Sequence, residues 1–287
     1  MVKVIISVIA YILLAPVVGG LLSGIDRVIS ARMQGRVGPS VLQPFYDVLK
    51  LFEKEPLTVN RVQDFYVTSF LIFVIVTGAL FFAGEDILLV LFTLTMASAF
   101  LIVAAYSSGS AYPTMAAERE LLQMMAYEPM VLMTAISFYL YTGSFRVSDI
   151  LTFGHMAFPY MILTFAGFCF VLTIKFRKAP FDLAMSHHAH QELVGGLKTE
   201  FSGSTLALVE VAHWFENVML LGMVFLFFAN NTIWGTAIGI AACLGVFFSE
   251  ILIGNTFARM KWSFAFKASW FVAISCGMAN IIFLYFF

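Results

Sequence analysis

Eight apolar runs of about twenty residues each divide this chain, at 4–25, 65–84, 87–107, 121–143, 155–175, 206–230, 233–253 and 265–287. At about 1.5 Å of helical rise per residue, a run of this length reaches across the roughly 30 Å hydrocarbon core of a bilayer. Of the 287 residues, 61% are hydrophobic and 32 are Phe, while only 11% are charged, against roughly 25% in a soluble domain. The expected fold is therefore an all-α polytopic membrane protein with about eight transmembrane helices, built as one integral-membrane domain over residues 1–287. The first run leads directly into Asp26 and Arg27 and lacks a small-residue cleavage site, so it reads as a span, not a signal peptide.

The basic residues predict an orientation. Loops 1, 3, 5 and 7, with the adjoining helix ends, hold fourteen of the sixteen: Arg27, Arg32, Arg36, Lys50, Lys54, Arg61, Arg119, Lys175, Arg177, Lys178, Lys198, Arg259, Lys261 and Lys267. The other side holds only Lys3 and Arg146. The positive-inside rule then puts loops 1, 3, 5 and 7 in the cytoplasm and both termini outside a cell membrane. A net charge of -1 with no large basic patch excludes nucleic acid as a partner. Cys169, Cys243 and Cys276 lie far apart in apolar runs and form no CxxC, so they read as small buried hydrophobes. No cofactor or metal is expected on this chain.

The longest loop, 26–64, contains "QGRVGPSVLQPFYDVLKLFEKE". Gly35, Gly38 and Pro39 suit an irregular path. Beyond them Val41, Leu42, Phe45, Val48, Leu49 and Phe52 recur at helical spacing, predicting an amphipathic helix at the membrane surface or against a partner. Arg32, Arg36, Asp47, Lys50 and Lys54 are candidates for docking a peripheral subunit.

Acids also stand where a bilayer disfavours them. Glu118, Glu120 and Glu128 precede or enter the fourth run, and Glu250 ends the seventh. Glu210, His213 and Glu216 stand three residues apart in the sixth, on one helix face. Such groups face a bundle interior or a wet cavity, and a row of Glu and His suits proton relay. The alternative is structural pairing with Arg119 or a neighbouring helix. Loop 5, residues 176–204, adds the relay candidates Asp182, Glu192 and Glu200 and a polar cluster of His187, His188 and His190. Two of these histidines are adjacent and complete no metal-ligand set; a polar network or a proton-uptake route is expected there instead.

Three segments carry a resemblance. The first is "GRVGP" at 35–39 with "LQPFYDVLKLFEKE" at 42–55, where Gln43, Asp47, Lys50, Lys54 and Glu55 fall on a family pattern. The second is Arg119, Gln123, Tyr127 and Glu128, and the third is "APFD" at 179–182, "ELV" at 192–194 and "EFSG" at 200–203. Together they resemble the NuoH-type subunit of respiratory complex I, an eight-helix protein between the peripheral and membrane arms. Where that family has a short glutamate-rich stretch, this chain has "AMSHHAHQ", and the family's sixth-helix glutamate falls at His213. In this it is similar to homologues in energy-converting membrane-bound [NiFe] hydrogenases and formate hydrogenlyases.

The resemblance implies a membrane-anchor and energy-coupling subunit of a ferredoxin-linked, proton-reducing complex. The chain itself would hold no redox centre. The [NiFe] centre and iron–sulfur clusters would lie in peripheral large and small subunits, and antiporter-like membrane subunits would move protons or sodium. Three alternatives stay open: the same subunit in a ferredoxin-linked sulfur-reducing complex, a quinone-binding complex I subunit, and a free-standing secondary transporter. The altered fifth loop counts against quinone, and the absence of an internal repeat counts against the transporter.

Overall fold

The computed structural model describes residues 2–55, 60–184, 193–230 and 232–286. Among the described residues eleven α-helices follow in order: α1 (Val2–Met33), α2 (Gln43–Glu53), α3 (Arg61–Ala83), α4 (Ile87–Tyr106), α5 (Ala111–Thr142), α6 (Val147–Thr152), α7 (Ile162–Lys175), α8 (Gly203–Phe228), α9 (Ile233–Thr256), α10 (Trp262–Val272) and α11 (Ala279–Phe286). A π-helical turn, Ala273–Met278, joins α10 to α11 into one rod. Among the described residues seven helices are long and apolar enough to cross a membrane. The protein is an all-α polytopic membrane protein.

Local chemistry sets the helix ends. Asn60 accepts from the Val62 amide at 3.1 Å, and Asp86 accepts from the Leu88 amide at 2.8 Å, satisfying first-turn donors of α3 and α4. Gly84 and Gly143 close α3 and α5 with φ of 85° and 75°, a left-handed geometry that favours glycine.

Three expected boundaries need correction. The run 155–175 is not a full-length helix: α7 has 14 residues, about 21 Å long. Pro159 interrupts the run, and Phe158–Tyr160 forms a 3-10 turn ahead of α7. The charges at 118–120 do not precede their span. They belong to α5, a single 32-residue helix with Pro129 inside it. Likewise α1 runs on through Asp26 and Arg27 to Met33.

The loops segregate by end. At one end, the Ile87 amide donates to Phe145 O at 2.9 Å and Val147 to Glu85 O at 3.0 Å, joining loops 2 and 4. The Phe158 and Phe228 rings stack there at 4.6 Å. At the other, Tyr112 Oη donates to Val194 O at 3.2 Å, and the Met260 amide to Pro180 O at 3.3 Å, gathering loops 3, 5 and 7. Short α7 therefore still runs from one end to the other. The core lies among α4, α5, α7 and α8, with Phe138, Phe168, Phe227, Leu172 and Met223 fully buried.

The predicted surface helix is α2. Phe45, Val48 and Leu51 pack on Ala207, Val211 and Trp214 of α8, while Leu49 and Phe52 on the adjoining side stay exposed. Glycines of α1 make this docking possible: a Cβ on Gly20 would strike the Phe45 ring, and one on Gly24 the Val41 backbone.

Candidate functional site

Charged side chains from five elements converge at the basic end around a vestibule of about 580 Å3. Asp26, Arg27 and Arg36 line it from α1 and loop 1, Arg177, Lys178 and Asp182 from loop 5, Glu210 from α8, and Arg259 from loop 7. These charges are stitched in pairs across elements. Arg27 meets Asp47 at 2.6 Å, linking α1 to α2; Arg177 meets Glu120 at 3.2 Å; Arg259 meets Asp182 at 3.8 Å. Lys178 bonds Asp26, and Lys198 bonds Glu210.

Two of these acids are tuned by their surroundings. Burial pushes the Asp182 carboxyl up to about 6, against the opposing pull of Arg177 and Arg259. Partial burial also raises the Asp47 carboxyl, but hydrogen bonds from Arg27 and Gln43 and the charges of Arg27 and Lys50 outweigh it, leaving Asp47 below its ordinary value.

Arg177 also borders a smaller polar space beneath the vestibule, with Glu120, Gln123, Tyr127, Lys175 and Glu216 around it. Here Lys175 is the hub. Its Nζ donates to Glu216 Oε1 at 3.1 Å and to Ser98 Oγ at 3.2 Å, and it lies 4.6 Å from the centre of the Tyr127 ring. His213 Nδ1 stands 3.3 Å from Glu216 Oε2, and the His213 ring packs edge-on against Phe70. Lys175 and Tyr127 in turn border a third space, a cavity of about 80 Å3 among α4, α5, α7 and α8. Its walls are apolar apart from Thr95, Tyr127, Lys175 and half-buried Glu128. Shared residues thus connect vestibule, polar space and apolar cavity in series.

The predicted row on α8 is divided between two levels: Glu210 lines the vestibule, and His213 and Glu216 lie deeper. Glu120, Glu128 and Asp182 join the same system, whereas Glu118 is exposed and Glu200 half-buried in the approach to α8. Arg32, Arg36, Lys50 and Lys54 are exposed, while Asp47 is engaged within the chain. His187, His188, His190 and Glu192 lie outside the described residues. Among the described residues no cluster of three or more His, Cys, Asp or Glu is arranged to hold a metal. Sequence reading missed Lys175, taking it as an orientation marker at the end of an apolar run. Its one visible signal was a cation attached to that run with no polar residue between.

The family described as NADH dehydrogenase matches residues 5–285. The chain belongs to that family. This NADH dehydrogenase family member is 27% identical over 278 residues to hydrogenase-4 component C of Escherichia coli, covering 87% of this chain and 86% of that one. It is 26% identical to formate hydrogenlyase subunit 4 of the same organism, over 88% of this chain and 90% of the other. Among solved structures it is similar to a chain of the membrane-bound sulfane sulfur reductase, an archaeal respiratory membrane complex, with TM-score 0.87 and 25% identity over 98% and 99% of the two chains. The protein is thus a NuoH-like membrane subunit of a complex I-like oxidoreductase complex.

Proposed function

We propose that this chain is the membrane-anchor and energy-coupling subunit of a ferredoxin-linked, proton-reducing [NiFe] hydrogenase. The observation that carries the coupling role is the buried Lys175–Glu216–His213 cluster, linked to the vestibule on one side and to Glu128 on the other. Peripheral large and small subunits hold the [NiFe] centre and iron–sulfur clusters and dock on loops 1 and 5, which face the cytoplasm. Antiporter-like membrane subunits take up the coupled proton or sodium movement. Within this chain Lys175 is poised between two carboxylates, Glu216 in contact and Glu128 across the cavity. A change of partner moves a positive charge between them and alters which one retains a proton.

The vestibule itself, walled by ion pairs, lacks the mainly apolar lining with a few polar groups that a quinone slot calls for. The equivalent subunit of a sulfur-reducing complex is the second reading, favoured by the close structural likeness to a sulfane sulfur reductase chain. Its distinguishing chemistry would lie in the large subunit. The test of coupling is a paired assay of the assembled complex carrying Glu128→Gln: hydrogen evolution in detergent, and gradient formation in sealed vesicles. Turnover is expected to persist while the gradient formed per electron falls severalfold. An unchanged ratio rejects the coupling role, and turnover that requires added quinone rejects the quinone-free reading.

A further inference from the structure

One residue on the route inward holds a backbone conformation that its side chain disfavours. Arg177 has a φ of 54°, and among the described residues no other non-glycine has a positive φ. Left-handed backbone is ordinarily glycine's. The turn itself is a regular helix end. The Arg177 amide donates to Ile174 O and the Lys178 amide to Thr173 O, both at 3.0 Å, satisfying the last carbonyls of α7. Glycine would make this cap without steric conflict, so an arginine here points to a use for its side chain.

That side chain stands at a boundary. Among the described residues Arg177 alone lines both the vestibule and the polar space around Lys175. Its Nη2 lies 3.2 Å from Glu120 Oε1 of α5, and both side chains are mostly buried. Lys178, the next residue, instead bonds Asp26 of α1. The left-handed turn thus parts two neighbouring cations, one to each wall. A guanidinium held in this way keeps a positive charge between the vestibule and the Lys175–Glu216 pair, and it repels any cation that approaches.

The vestibule wall offers this guanidinium a second seat. Asp182 lines the same vestibule and is 7% exposed. Its Oδ2 faces Arg259 at 3.8 Å, a loose pairing. Its Oδ1 is buried with no hydrogen-bond partner among the described residues. A buried acceptor left without a donor is costly, and the five N–H groups of an arginine can serve two carboxylates in turn. Glu120 and Asp182 therefore bracket Arg177 from the inner and outer sides of the boundary.

We propose that Arg177 is the gate between the vestibule and the Lys175 cluster. Paired with Glu120 it closes the polar space; drawn across to Asp182 it opens that space to vestibule water. What the open gate admits, a proton for the cluster, rests on the coupling reading given above; the closure itself does not.

The test is thiol modification of the membrane-embedded complex at rest, with no redox substrate. Leu101 lines the polar space, and Leu101→Cys puts a thiol there; Ser98→Cys, in the same wall, serves if that variant does not assemble. The probe is aminoethyl methanethiosulfonate, a slender cation, and mass spectrometry follows the modified peptide of this chain. Modification is expected to be slow with Arg177 in place. Adding Arg177→Gly, which relaxes the α7 cap, speeds it severalfold. Adding Glu120→Gln, which releases Arg177 from its inner seat, does the same, while Arg177→Lys keeps the protection. Native Cys169 and Cys243 hold their rates throughout, which separates an opened gate from a loosened bundle. Combining Asp182→Asn with Glu120→Gln slows modification again. An unchanged rate in Arg177→Gly, or Cys169 and Cys243 accelerated in parallel, overturns the gate. An unaltered rate on adding Asp182→Asn overturns the outer seat. The readout involves neither turnover nor a gradient, so a failed gate is distinct from the unchanged gradient ratio in Glu128→Gln that rejects coupling.

Discussion

At the scale of single residues, the Lys175–Glu216 pair dominates. Both side chains are less than a tenth exposed, and each has its counter-charge within 3.1 Å. Removing one member leaves the other charge buried and uncompensated, a loss of about 3–5 kcal/mol. Glu216→Leu is therefore expected to lower the thermal stability of the solubilised complex sharply, and the double variant Lys175→Met/Glu216→Leu to recover most of it. Thermal inactivation of both variants checks this. Asp182 gives a pH signature. Its folded-state value of about 6 lies above the ordinary carboxylate value of about 4, so between these limits the folded protein binds a proton that the unfolded chain releases. That contribution is full below about 4 and lost as pH rises through about 6. The stability of the native chain relative to Asp182→Asn should fall over this window and stay flat above it, as thermal midpoints will show. The spacing of Glu210, His213 and Glu216 was legible because one helix supplies all three. The centrality of Lys175 was not, because Ser98, Tyr127 and Glu216 reach it from three other helices.

At the scale of elements, helix α2 was legible from its amphipathic period, but its seat on α8 was not. That seat depends on Gly20 and Gly24 of α1, whose missing side chains admit Phe45 and the Val41 backbone. Gly24→Val is expected to lift the start of α2 from α1 and shift the basic face carried by loop 1. Peripheral subunits should then wash off membranes while this chain stays inserted; their full retention on washed membranes would count against docking through loop 1. The shortness of α7 escaped sequence reading because apolar residues continue on both sides of its start. A hydropathy run does not show where Pro159 interrupts helical hydrogen bonding.

At the scale of the whole molecule, segregated loops make the orientation testable. With loops 1, 3, 5 and 7 in the cytoplasm, Ser40→Cys in loop 1 is expected to escape an impermeant thiol reagent applied to intact cells. Gly154→Cys, placed where an added Cβ meets nothing, should react. The reverse pattern would invert the topology. The short helix also has an electrical consequence. Across a whole bilayer, moving one elementary charge through 100 mV involves about 2.3 kcal/mol. The vestibule carries a polar, high-dielectric path inward to Arg177, two residues past the end of α7. With the vestibule filled by water, the voltage is expected to drop over little more than the length of α7, with a steeper field there than across an unbroken bilayer. A charge moving within the vestibule senses little of that field. On the proposed coupling role, a charge passing from Lys175 toward Glu128 would sense much more, and the voltage dependence of ion transfer is expected at that step.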